Sequence, residues 1–172
     1  MKKRTLIIAG ILFLLFMGYN LFQYLSIPDG NSLESREELL KDTPKGITWN
    51  IAVEQELQDF IVSGIYSSGG KTGIAVFEQE GNRYKLYSRE WRNSSDEIII
   101  SGISIDGIWY DLIWFYGAET ERAELTYTQT DNNAEKTLTF DTTNMEIICN
   151  RAPADNYTPE VIYYDKDGNT YE

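Results

Sequence analysis

The residues best suited to hold a ligand lie in the most aromatic stretch of the chain, Trp109-Tyr110-Asp111-Leu112-Ile113-Trp114-Phe115-Tyr116. An indole face offers contact area to a sugar or peptide, and a carboxylate beside it accepts hydrogen bonds. Asp106-Gly107, just upstream, suits a two-residue hairpin turn in which both central residues take positive φ. Such a turn pairs Trp109 with Ser104, Asp111 with Gly102, Ile113 with Ile100 and Phe115 with Ile98 on one face. Tyr110, Leu112 and Trp114 share the other face with Ile103, Ser101 and Ile99, and that face is expected to form the core. The first face is apolar only away from the turn. Near the turn, Trp109, Asp111, Ser104 and Gly102 form a corner, the candidate ligand-binding site. Asp111 is expected there as a half-exposed carboxylate whose replacement by Ala costs no more than about 1 kcal/mol.

Other motifs fit their chemistry poorly. Ser67-Ser68-Gly69-Gly70-Lys71-Thr72-Gly73 lacks the first glycine of a phosphate-binding loop, because Ile65 stands where that glycine belongs. It also leads into the strand pattern Ile74-Ala75-Val76-Phe77 rather than into a helix. Ser68-x-x-Lys71 and Lys71-Thr72-Gly73 share one lysine, whereas the acyl-transfer enzymes bearing such motifs use two. A glycine-rich hairpin loop accounts for the whole segment. Asp165-x-Asp167-Gly168-Asn169 has the first half of a calcium loop but runs out of chain before the closing glutamate, and it reads as a turn. With no His and one Cys in 172 residues, Ser-His and Cys-His catalysis, the usual zinc sites and an internal disulfide are all excluded. Cys149 shares the apolar parity of Met145 and Ile147, which marks a buried structural thiol. No catalytic residue, metal ligand or cofactor is assigned.

The elements that must position the corner are strands. From Gly46 onward apolar residues alternate with period two, over 47–53, 59–67, 72–79, 83–90, 97–105, 108–116, 122–130, 135–141, 145–150 and 160–165. All four prolines lie outside 45–152, and turn residues recur at 80–82, 106–107, 131–133 and 167–169. This pattern predicts an all-β fold, an antiparallel β-sandwich or meander barrel of about 9–10 strands.

Ahead of that domain, residues 5–27 contain no Asp, Glu, Lys or Arg. As a helix at about 1.5 Å per residue they span roughly 34 Å, enough for a hydrocarbon core of about 30 Å. Lys2, Lys3 and Arg4 precede this run, so the positive-inside bias leaves residues 1–4 as a cytoplasmic stub and 46–172 as an extracytoplasmic domain. Bulky Tyr19, Phe22, Tyr24 and Leu25 stand where a peptidase requires small residues, which favours an uncleaved signal-anchor helix over a removable signal. Residues 28–45 read as a stalk, with Ser35-x-x-Glu38 as a capping box for a short helix.

Three of the 15 Lys+Arg, and none of the 27 Asp+Glu, precede residue 28, which leaves a charge of −15 on the remainder. Such a field repels nucleic acid, so the bilayer and an extracytoplasmic protein, peptide or glycan are the expected partners. The function expected from these features is a non-enzymatic, membrane-anchored binding module at the cell envelope. The alternatives are a carboxylate-based hydrolase of envelope polymers and an accessory subunit of a membrane protein complex.

Overall fold

Period-two alternation is realised as strands almost everywhere it occurs. The computed structural model describes residues 12–20, 28–41, 46–93, 98–116, 121–131, 133–142, 146–153 and 157–171. Four strands form a first antiparallel sheet in chain order: β1 (Trp49–Leu57), β2 (Phe60–Ser67), β3 (Lys71–Glu80) and β4 (Arg83–Asn93). A middle sheet contains β5 (Ile98–Ile105), β6 (Ile108–Phe115) and β9 (Ile147–Arg151), in the order β5-β6-β9. A third contains β7 (Arg122–Gln129), β8 (Glu135–Asp141), β10 (Tyr157–Tyr164) and β11 (Thr170–Tyr171), in the order β11-β10-β7-β8. The fold is thus all-β and sandwich-like, with three sheets rather than two. It departs from a plain meander where β9 returns to β6 and β10 returns to β7.

Parity explains how the sheets stack. On β6, Leu112 and Trp114 join Val62, Ile74, Val76, Ile99 and Ile147 in a core against the first sheet. Ile113 and Phe115, of the opposite parity, join Ala123, Leu125 and Tyr127 in a core against the third. Residues 111–115 are consequently all buried, and β6 is covered on both faces. Pro159 sits inside β10 without breaking it: it faces Tyr127 of β7, and β11 pairs with β10 only at Tyr163 and Tyr164. The proline therefore needs no N–H on its open side.

Residues 28–41 do not hang free. They carry the short helix α1 (Leu33–Leu39), and Leu40 is fully buried beside Trp49, Ile65 and Phe77 on the outer face of the first sheet. The helix is capped three residues earlier than its sequence suggests, with Ser32 Oγ accepting from Ser35 N at 3.1 Å. Buried Arg36 donates to both oxygens of Glu54 at 2.6 and 2.7 Å and to the Gly30 carbonyl at 2.7 Å. Tyr84 N donates to the Asp29 carbonyl at 2.8 Å, so backbone bonds also hold this segment in place. Further upstream, residues 12–20 are helical, with Leu12, Phe13, Leu14, Leu15, Phe16, Met17 and Tyr19 exposed. No helix among the described residues is long and apolar enough to cross a membrane. Residues 5–11 and 21–27 of the expected span lie outside the described ones.

Trp114 is the largest side chain shared by the first and middle sheets, with no exposed surface. Trp114→Ala should cost about 3–5 kcal/mol, measured as the shift in a urea unfolding curve.

Candidate functional site

The hairpin at Asp106-Gly107 forms as its sequence requires. Asp106 and Gly107 have φ of 51° and 76°, the paired positive values of a type I′ turn. Register then runs Ile105↔Ile108, Ser104↔Trp109, Gly102↔Asp111 and Ile98↔Phe115, so the four candidate residues do gather on one face.

That face is not a fading sheet end. Asp111 is 5 % exposed, more buried than Tyr110, because the third sheet lies over it. Burying a carboxylate without partners costs several kcal/mol, and here the partners are aromatic. The Tyr127 hydroxyl donates to Oδ2 at 2.6 Å. The Tyr157 hydroxyl lies 3.0 and 3.1 Å from the two oxygens. Trp109 Nε1–H donates to Oδ1 at 3.1 Å. Asn150, opposite Asp111 on β9, extends the chain by donating from Nδ2 to the Tyr127 hydroxyl at 2.7 Å. The expectation of a half-exposed, energetically neutral Asp111 is therefore corrected. The carboxylate joins β6 to β7 and β10, and both its oxygens are occupied by protein donors.

The same network orients the tryptophan. A Cβ at Gly102 would lie 2.2 Å from Cζ2 of Trp109 and 3.0 Å from its Nε1, so only glycine lets the indole lie across β5 with its N–H directed to Asp111. Held this way, Trp109 remains 46 % exposed. Ser104, opposite it, is exposed and makes no contact that defines the site. Trp109 borders a cleft of about 530 Å³ lined also by the Gly107 turn, Asn150, Arg151, Pro153 and Lys136. That volume is typical of small-molecule sites, roughly 300–1,000 Å³. A second cavity of about 140 Å³ shares Lys136 and Pro153 and reaches Tyr127 and Tyr157. Lys136 arrives through strand parity: Leu138 and Phe140, at the same parity on β8, pack into the core, while Lys136 is exposed at the cleft.

Lys136, Asn150, Tyr127 and Tyr157 were not singled out by the sequence. Lys136, Asn150 and Tyr127 carried one signal, parity on strands already expected, which does not say which sheet lies opposite; Tyr157 precedes the expected strand 160–165 and carried none. The other motifs resolve as turns and core. Gly70 N bonds the Ser67 carbonyl in the β2–β3 hairpin, and Asp165 accepts from Asp167 N and Asn169 N within the β10–β11 turn. Cys149 packs beside the first-sheet core, and burial pushes its thiol up to about 12.

Burial, then the hydrogen bond to Asp111, raises the phenols of both Tyr127 and Tyr157 well above the ordinary tyrosine value of about 10. A group raised on folding stabilises the native state fully below its unfolded value and progressively less as pH rises toward its folded one. Stability should therefore begin to fall near pH 10. Tyr157→Phe should flatten that fall between pH 10 and 11.5, read as the urea midpoint at each pH. At pH 7, Asp111→Ala should cost about 2–4 kcal/mol, because it strands the fully buried Tyr127 hydroxyl as a donor without an acceptor.

No family model, curated protein or solved structure matches the chain, so what this site does must be argued from its own geometry.

Proposed function

We propose that the protein is a non-enzymatic, saccharide-binding module held outside the membrane by its N-terminal segment. The observation that carries this reading is the fixed indole of Trp109, exposed on one side at the mouth of a polar cleft. A pyranose ring presents C–H groups on its faces and hydroxyls on its edges, and it matches a flat aromatic surface rimmed by polar groups. Asn150 Nδ2 is engaged with Tyr127, whereas its Oδ1 has no partner among the described residues and can accept from a hydroxyl. A peptide would instead be expected to use apolar side-chain pockets or a free strand edge.

A carboxylate-based hydrolase is less well supported. Asp111 already accepts from three side chains, and no acid among the described residues lines the larger cleft. The anchor rests on the apolar run 5–27 with its preceding cations, together with the uncovered apolar side chains of residues 12–20.

Intact protein in detergent should bind members of a panel of neutral and acidic oligosaccharides, read by calorimetry. Trp109→Ala and Gly102→Ala should each weaken binding about tenfold or more, while Ser104→Ala leaves it unchanged. Absence of binding across the panel, or binding indifferent to Trp109→Ala, would overturn the assignment. Topology is checked separately: protease added to spheroplasts should digest residues 46–172 and leave the N-terminus protected, and protection of the whole chain would contradict an extracytoplasmic domain.

A further inference from the structure

The charge of the cleft runs against that of the chain. Beyond residue 27 there are 27 acids and 12 Lys+Arg, yet among the described residues the larger cleft is lined by Lys136 and Arg151 and by no acid. Among the described residues neither cation forms an ion pair, although Arg36 and Lys85 elsewhere do. The two come from different sheets, Lys136 from β8 and Arg151 from the end of β9. Cations on an acidic surface lower their energy by pairing with the abundant carboxylates, so two left unpaired beside an aromatic platform have an electrostatic demand that the described residues do not meet.

Resting on the saccharide assignment, we infer that the natural ligand is an acidic sugar, a saccharide whose carboxylate sits between Lys136 and Arg151 while a pyranose face covers Trp109. Guanidinium and ammonium groups both hold carboxylates through charge-assisted hydrogen bonds. At physiological ionic strength the Debye length is about 8 Å, so the remaining negative surface is largely screened from a carboxylate inside the cleft.

The test uses intact protein in detergent with tetragalacturonate, its fully methyl-esterified form and inorganic phosphate, at 150 mM salt. Tetragalacturonate should bind about tenfold or more tightly than the ester. Lys136→Gln and Arg151→Gln should each weaken binding of the acid several-fold while leaving that of the ester unchanged, with melting curves confirming that both variants fold. Equal binding of acid and ester overturns the acidic-sugar inference and leaves the saccharide assignment standing. Binding of the acid that survives Trp109→Ala, or that phosphate displaces at equal concentration, shows generic anion attraction and also overturns it. Failure of both sugars to bind removes the saccharide assignment for these probes and the inference with it.

Discussion

A carboxylate buried between two sheets constrains this fold more than any other single group. Asp111 sits on the strand that both neighbouring sheets cover, and it is tolerated there only because Tyr127, Tyr157 and Trp109 aim donors at it. Those donors come from β7, β10 and β6, so satisfying one charge fixes how the third sheet lies on the middle one. The Tyr127 and Tyr157 rings meet edge to face at 4.9 Å, and this packing holds the hydroxyls on the carboxylate. An apolar residue at 111 would pack without such demands but would not specify the arrangement of these elements.

The candidate site follows from the same constraint. Trp109 is exposed, yet its N–H is bound and its ring is seated on Gly102. A surface aromatic usually loses rotamer freedom when it binds a ligand; this one has given it up on folding, which would lower the entropic cost of the binding proposed for it. Asn150, Tyr127 and Asp111 connect the cleft to the buried network through successive hydrogen bonds. Asp111, placed by the sequence in the exposed corner, instead lies buried behind Trp109 and accepts its N–H.

How far the sequence could be read depended on the range of the interaction. Strand positions follow from local alternation, and the 98–115 hairpin follows from Asp106-Gly107, down to each cross-strand pair. Ten of the eleven strands among the described residues overlap the runs of alternation, and the missed one, Thr170–Tyr171, is too short to show a period. What local pattern cannot reveal is cover. Alternation shows that Asp111, Ile113 and Phe115 share a face, but whether water or another sheet meets that face depends on residues 16 and 46 positions away. The same limit hid the docking of residues 28–41, where Arg36 reaches Glu54 across 18 positions.

A double-mutant cycle between Asp111 and Tyr127 tests the central constraint most directly. Urea unfolding of Asp111→Ala, Tyr127→Phe and the double variant isolates the energy shared by the two side chains. If the carboxylate and phenol hold the sheets together as described, the coupling will be about 1–3 kcal/mol, with the double variant little less stable than Asp111→Ala alone. Additive effects, with no coupling beyond about 0.3 kcal/mol, would contradict a hydrogen bond between them and the carboxylate's part in holding the third sheet on the middle one.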